Sequence, residues 1–384
     1  MSPARAKLLL WAAALACVAP PAAAPALAKD PPATKVDLAA EARSLAERWG
    51  KNLGQGYTTR IDSRRHIVYV SAVDPAAFAH VVKLLAAVHD AQATGLFPRR
   101  LRRNVTVILP TVKDYRRLVP NAKAHGIYTP RNRALVSISY STVLVHEFIH
   151  ALHHNDQVVA RQNHPIWLIE GLAMLYQASV LKDGRFEVKD PGSLAGLQSV
   201  IKAGTVRPLK QLCRMTPKAF MASAESAYRQ SHHVMLYLHR QGKLRAFYTT
   251  YKATYAQDPT GAKALAQTLG KPLDRVEADW RKWVLACKPP WRPAHARSAH
   301  LGIRMAKSDQ GVEVSGFLRG STAQRAGLLK GGDVIISLAG RPVRSARDLS
   351  AAVQACRPGQ IVEIEIIRAG RTVMLKHRLG LAPK

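Results

Sequence analysis

Between residues 141 and 156 the chain reads STVLVHEFIHALHHND, and the H-E-x-x-H spacing inside that apolar run constrains the fold more than any other feature. In a helix with about 3.6 residues per turn, His146 and His150 lie on one face, so both imidazoles reach a single metal ion with Glu147 beside them. Val143, Val145, Phe148, Ile149 and Leu152 supply the apolar positions that bury the rest of the helix. A helix held rigidly in this way suits zinc.

A zinc ion that does chemistry needs a third protein ligand and one open position. Glu170 is the preferred candidate. It sits in HPIWLIEGLAMLYQ, where Pro165 suits a first helical turn and Ile166, Leu168, Ile169, Leu172, Ala173 and Tyr176 continue an apolar helical pattern. Asp156 competes, six residues past His150, where the metzincin pattern H-E-x-x-H-x-x-G-x-x-[HD] puts its last ligand. That pattern turns the chain at a glycine, and this chain has His153 there, which carries a steric cost in a left-handed turn. His154 and His164 are also close to the motif, and a solvated helix end accounts for all three histidines more economically than a second metal.

With an H-E-x-x-H helix followed by W-L-x-E-G-L-A, the chain resembles the gluzincin metallopeptidases, the thermolysin-like group, and especially the "peptidase MA-like" proteins. The resemblance implies that His146, His150 and Glu170 bind Zn2+ and that Glu147 is the general base. Met174 stands where thermolysin itself has an acidic residue, so the group that orients His146 must come from elsewhere. The G-x-M-x-N signature of the membrane-alanyl-type aminopeptidases is absent, which points to an endopeptidase. In such proteins a Tyr or His from a helical lobe meets the oxyanion, and Tyr228 is the first choice here, with His232 and His233 as alternatives. The strand before the zinc helix, 134–140, is expected at the edge of the cleft, lining the substrate groove or serving as a plain core strand.

The first 28 residues read as a secretory signal peptide: Arg5 and Lys7, an apolar run from Leu8 to Val18, and a small-residue end at Ala28. The apolar run is too short for a membrane span. The mature chain is therefore expected to be exported, periplasmic or secreted, rather than anchored as a lipoprotein at Cys17. Cleavage leaves Cys213, Cys287 and Cys356, an odd number, of which Cys213 and Cys287 either pair or stay free. The formal net charge is +32, and the 14 Lys or Arg against 6 Asp or Glu from His300 onward put about +8 on the tail. The excess is spread over the chain, with neither a nucleic-acid-binding fold nor an aromatic-interleaved basic patch. It implies a solvated basic surface with some attraction for an anionic envelope, and no specific nucleic acid.

The remainder reads as α+β: a zincin-like αβ lobe to about residue 156, then a helical lobe, within a peptidase domain at 29–287. Helices are expected over 37–53 and 76–93, short β-runs either side of a turn at Asp62, a buried strand over 104–110, and helices from 193 to 283. A Pro-rich basic linker, 288–298, follows. Residues 299–384 resemble a bacterial-type PDZ domain through GVEVSGFLRGSTAQRAGL, GGDVIISLAGRPV, RSARDLSAAVQAC and VEIEIIRAG. That resemblance implies a loop, Leu301, Gly302 and Ile303, whose backbone N–H groups hold a peptide C-terminal carboxylate while the partner adds as a strand. One extra residue before Asp333 alters a turn rather than the groove. The expected function is zinc-dependent peptide hydrolysis with PDZ recruitment or sensing. The rivals are a catalytically silent PDZ scaffold and a basic envelope-polymer or nucleic-acid binder.

Overall fold

The computed structural model describes residues 36–98, 100–119, 124–188, 193–288 and 299–381. The expected signal segment and all of the expected linker but Lys288 lie outside the described residues.

The N-terminal lobe runs α1 (Leu38–Leu53), β1 (Thr58–Asp62), β2 (Ile67–Ser71), α2 (Pro75–Ala93), β3 (Val105–Leu109), α3 (Val112–Leu118), β4 (Gly126–Thr129) and β5 (Ala134–Ser137). Asp37 and Asp74 cap α1 and α2, each accepting from two backbone N–H groups of the first turn. The five strands form one sheet in the order β1-β2-β3-β5-β4. IVYVS and VTVIL are buried at every position, as β-branched runs between two covered faces must be, and these two strands pair in parallel. Polar TTRID takes one edge as β1.

Of the two expectations for 134–140, the edge placement that the resemblance implied and a plain core strand, β5 follows the second. It lies between β3 and β4 and is buried throughout, so the short strand β4 occupies the edge beside the H-E-x-x-H helix. The residue pattern of 134–140 describes a core strand because core is where it sits.

Next come α4 (Thr142–Ala160), α5 (Ile166–Gln177), the hairpin β6 (Ser179–Lys182) and β7 (Arg185–Val188), then seven helices: α6 (Leu194–Lys202), α7 (Leu209–Cys213), α8 (Pro217–Ala222), α9 (Ala224–Arg240), α10 (Leu244–Thr254), α11 (Ala262–Leu269) and α12 (Leu273–Ala286). Their apolar faces join α4 and α5 in one core that includes Phe148, Trp167, Met235 and Trp280. Cys213 and Cys356 are free thiols, and burial pushes the Cys213 pKa far up. No helix among the described residues is long and apolar enough to cross a membrane.

The C-terminal unit contains β8 (Ala299–His300), β9 (Ile303–Lys307), β10 (Val312–Phe317), α13 (Thr322–Ala326), β11 (Val334–Leu338), β12 (Arg341–Pro342), α14 (Ala346–Gln354), β13 (Ile361–Arg368), β14 (Arg371–Arg378) and β15 (Gly380–Leu381). Its main sheet runs β14-β13-β11-β10-β9 around Ile335, Leu338, Val343, Ile364 and Ile366. It does not hang free. Ile336 and Ile367 enter the core that covers β2 and β3. Ser139 Oγ and Tyr140 N donate to the buried Glu365 carboxylate at 2.7 and 2.9 Å, and Thr372 Oγ1 donates to Ile138 O at 2.7 Å. His125 Nε2 lies 2.6 Å from Gln310 O, and since a carbonyl only accepts, that ring nitrogen carries the proton.

Candidate metal centre and cleft

α4 and α5 bring the three expected ligands together. Gly171 makes the arrangement possible: a Cβ there would lie 3.0 Å from Met235 Cγ and 3.0 Å from Ser231 O, so the residue after Glu170 must be bare for α5 to seat against α9. His146 Nε2 and His150 Nε2 are 3.0 Å apart, and each is 3.5 Å from Glu170 Oε2. All three donor atoms fall within 4.8 Å of one another. Glu170 Oε2 is buried and has no hydrogen-bond partner among the described residues. Two ring nitrogens and a carboxylate oxygen converging on one point fit a divalent cation, because the buried Glu170 oxygen has no hydrogen-bond partner among the described residues and the two ring nitrogens face each other. Burial works to raise the Glu170 pKa, but His150 and His146 outweigh it and hold the carboxyl far below its usual range. His146 Nδ1 is buried without a partner among the described residues, so nothing there takes over from the acid that Met174 replaces.

Glu147 is half-buried and its Oε2 accepts from Tyr128 N at 2.8 Å, which ties it to the edge strand β4. Gly126, at the start of β4, allows this approach, since a Cβ there would meet Glu147 Cγ at 3.1 Å and Val143 Cγ1 at 3.0 Å. No signal in the residue pattern marks β4, a four-residue strand without a strong periodic pattern. Tyr228, on α9, is buried and stands edge-on to Phe220. Its pKa is raised by burial first, and then by Glu170, which its hydroxyl approaches within hydrogen-bonding reach, and by Glu147. His232 is fully buried with neither ring nitrogen bonded among the described residues, and His233 Nδ1 lies 2.8 Å from Arg229 O.

Asp156 takes no part in the cluster. Its carboxylate accepts from Tyr248 Oη at 2.7 Å and from Lys252 Nζ at 2.9 Å, so its valence is spent on a buried ion pair. The histidines near it correct a second expectation. His153 and His164 are 1% and 3% exposed, not solvated, and His153 Nε2 lies 2.7 Å from His164 Nδ1. Phe97 stacks on His153, and Tyr248 and Tyr251 meet His164 edge-on, so these rings are core. Burial lowers the pKa of both, His164 to about 3.

In the C-terminal unit, Leu301 and Ile303 are buried and Gly302 takes φ +79°, with Leu318 N donating to Gly302 O at 2.9 Å. A Cβ on Gly302 would lie 2.3 Å from Ser321 Cβ, which only glycine avoids. β9 follows this loop and forms an edge of the main sheet.

Residues 299–379 match the PDZ domain family. The C-terminal unit is a PDZ domain. Two curated relatives, each a "probable periplasmic serine endoprotease DegP-like", are 39% identical over 64 residues (Rhizobium meliloti strain 1021) and 35% identical over 74 residues (Ectopseudomonas mendocina strain ymp). The matches cover 17% and 19% of this chain but only 12% and 15% of the relatives. Among solved structures, a substituted variant of the HtrA-type protease AlgW, solved with a decapeptide, is 30% identical over 22% of this chain and 30% of that one, with TM-score 0.21. An aminopeptidase N family protein from Idiomarina loihiensis covers 85% of this chain and 67% of that one at 14% identity, with TM-score 0.36.

Proposed function

We propose that the chain is an exported zinc peptidase of the gluzincin type, an endopeptidase whose PDZ domain binds C-terminal peptides. One relationship carries the reading: the donor atoms of His146, His150 and Glu170 converge while Glu147, on the same helix, turns its carboxylate to the edge strand β4. The His, His, Glu set would hold the ion. Zinc, when bound, lowers the pKa of a water it holds and polarises a carbonyl. Glu147, as general base, would take a proton from the attacking water and return it to the leaving amine. The Tyr128 N–H fixes one oxygen of Glu147 and leaves the other for the proton. The Tyr228 hydroxyl donates to the substrate oxygen on which negative charge develops. The outer edge of β4 takes an extended peptide as an added strand and lays its scissile bond beside Glu147.

In this reading residues 1–28 are a signal peptide, 29–287 a zincin-like peptidase domain with an αβ and a helical lobe, 288–298 a linker and 299–384 the PDZ domain. Export fits the N-terminal segment and the periplasmic description of the matched relatives. The basic surface favours an anionic envelope without defining a nucleic-acid site. The test is metal analysis of the purified chain beside casein hydrolysis with and without a chelator. Stoichiometric zinc and chelator-sensitive cleavage are expected. Zinc without cleavage of any unstructured protein would leave a silent PDZ scaffold in its place.

A further inference from the structure

Arg344 belongs to the PDZ domain, between β12 and α14, yet it faces the other domain. Its backbone is pinned: its N–H donates to Asp348 Oδ2 at 3.1 Å, and the preceding residue, Val343, is fully buried and donates to Ile336 O at 2.8 Å. The side chain is half-buried and its Nε is buried with no hydrogen-bond partner; no guanidinium hydrogen bond or ion pair is present among the described residues. The groups that act on it through space are Asp348 of its own domain and Tyr228, Tyr115 and Glu147 of the peptidase side. Tyr228 and His125 feel its charge in return. A guanidinium offers five donors and does not give up its charge, so leaving it unpaired in a half-buried place is costly unless an anion arrives.

The sheet edge says which end of a peptide it meets. Only β5 pairs with β4, so the other edge of β4 is open among the described strands. A peptide added antiparallel there runs its C-terminal side toward Gly126, and the next residue outward is His125, bonded to the PDZ domain through Gln310. The β11–β12 turn closes the same end of the cleft, where Gly340 O accepts from Thr142 at the start of α4. We propose that Arg344 is a substrate-binding residue supplied to the peptidase cleft by the PDZ domain, and that it holds a carboxylate of the peptide on the C-terminal side of the bond that is cut. This rests on the metallopeptidase reading above. The carboxylate is either the peptide's terminus or an Asp or Glu side chain.

Three N-blocked peptides of one sequence separate these sources: a free acid, its amide, and the amide with a glutamate near the C-terminal end. Binding to the zinc-loaded full-length protein is read by fluorescence anisotropy, and cleavage and zinc content are read alongside. The wild type should bind at least one acidic peptide about tenfold or more tighter than the neutral amide, as a charge-assisted pair allows. With Gly302→Ala in every protein compared, so that the PDZ loop supplies no carboxylate partner, Arg344→Ala should remove that preference and Arg344→Lys should restore part of it, with zinc content unchanged. Loss for the glutamate peptide alone assigns a side-chain carboxylate; loss for the free acid alone assigns the terminus. No preference in the wild type, or preferences that all survive Arg344→Ala, overturns the proposal. The expected binding pattern without cleavage sinks the peptidase reading and leaves Arg344 as a carboxylate site.

Discussion

Thr142, the first residue of the helix that carries His146, Glu147 and His150, donates its hydroxyl to the carbonyl oxygen of Gly340 in the PDZ domain. The PDZ domain, expected beyond a linker at 288–298, is therefore in contact with the start of the helix that carries these three residues. The contact continues through Glu365, Thr372 and Gln310, and Ile336 and Ile367 bury apolar surface with it.

His125 makes this interface sensitive to acid. Its folded pKa is pressed down to about 3, by burial first and by Arg344 second, from the ordinary 6.5. Nε2 is committed to Gln310 O and Nδ1 is buried without a partner among the described residues, so an added proton has nowhere to be satisfied. The folded form excludes a proton that the unfolded form accepts. The stability this gives is complete above about pH 6.5 and is lost as pH falls toward 3, at roughly tenfold in the folding equilibrium per pH unit. His153, His154, His164 and His232 share the sign. In chemical denaturation between pH 7 and 4, His125→Gln should therefore reduce the slope by about one proton rather than abolish it. An unchanged slope would mean that His125 titrates normally.

Glu147→Gln should fold and keep its zinc while casein hydrolysis falls by about 100- to 10,000-fold, the range for removing a general base. The amide still accepts the Tyr128 N–H bond and fills the same space, so the comparison isolates the proton. Retention of wild-type activity would remove Glu147 from the role of base.

Glu170 and Asp156 separate in the same metal analysis. Glu170→Ala should release zinc, because one ligand of three is gone. Asp156→Asn should retain it but lower stability by about 1–3 kcal/mol, since the Lys252 ammonium and Tyr248 hydroxyl lose their charged acceptor. Zinc lost with Asp156 and kept without Glu170 would move the chain to the metzincin-like group.

Residue patterns carried the helix of His146 and His150, the helix of Glu170 and the PDZ order because each is local: i, i+4 spacing, an apolar period, a string of turn glycines. They did not carry what depends on neighbours remote in sequence. The buried run at 134–137 looks the same whether it is second from the edge or at the edge; what decides is β4, too short to announce itself. His153 and His164 look like a polar helix end until Phe97, Tyr248 and Tyr251 close over them. Arg344 is one of many arginines in a strongly basic chain, and only its placement beside Glu147 and Tyr228 distinguishes it.

The PDZ loop remains to be tested on its own terms, in an Arg344→Ala background so that the cleft cannot supply the carboxylate partner. Gly302 sits at φ +79° against Ser321, and that close approach turns the backbone of 301–303 ahead of the edge strand β9. A terminal carboxylate fits such a loop because backbone N–H groups are fixed donors, and the last residues of the partner then pair with β9. In the full-length chain, a free-acid peptide with an apolar last residue should bind about tenfold or more tighter than its amide, by fluorescence anisotropy. Gly302→Ala should erase the difference, because its new methyl group must displace Ser321 and a left-handed backbone strains any residue with a Cβ. A thermal melt of the same variant shows whether the PDZ domain is still folded when the preference goes. Equal binding of acid and amide to a folded Gly302 protein would sink the carboxylate-loop reading and leave β9 as a plain edge for strand addition.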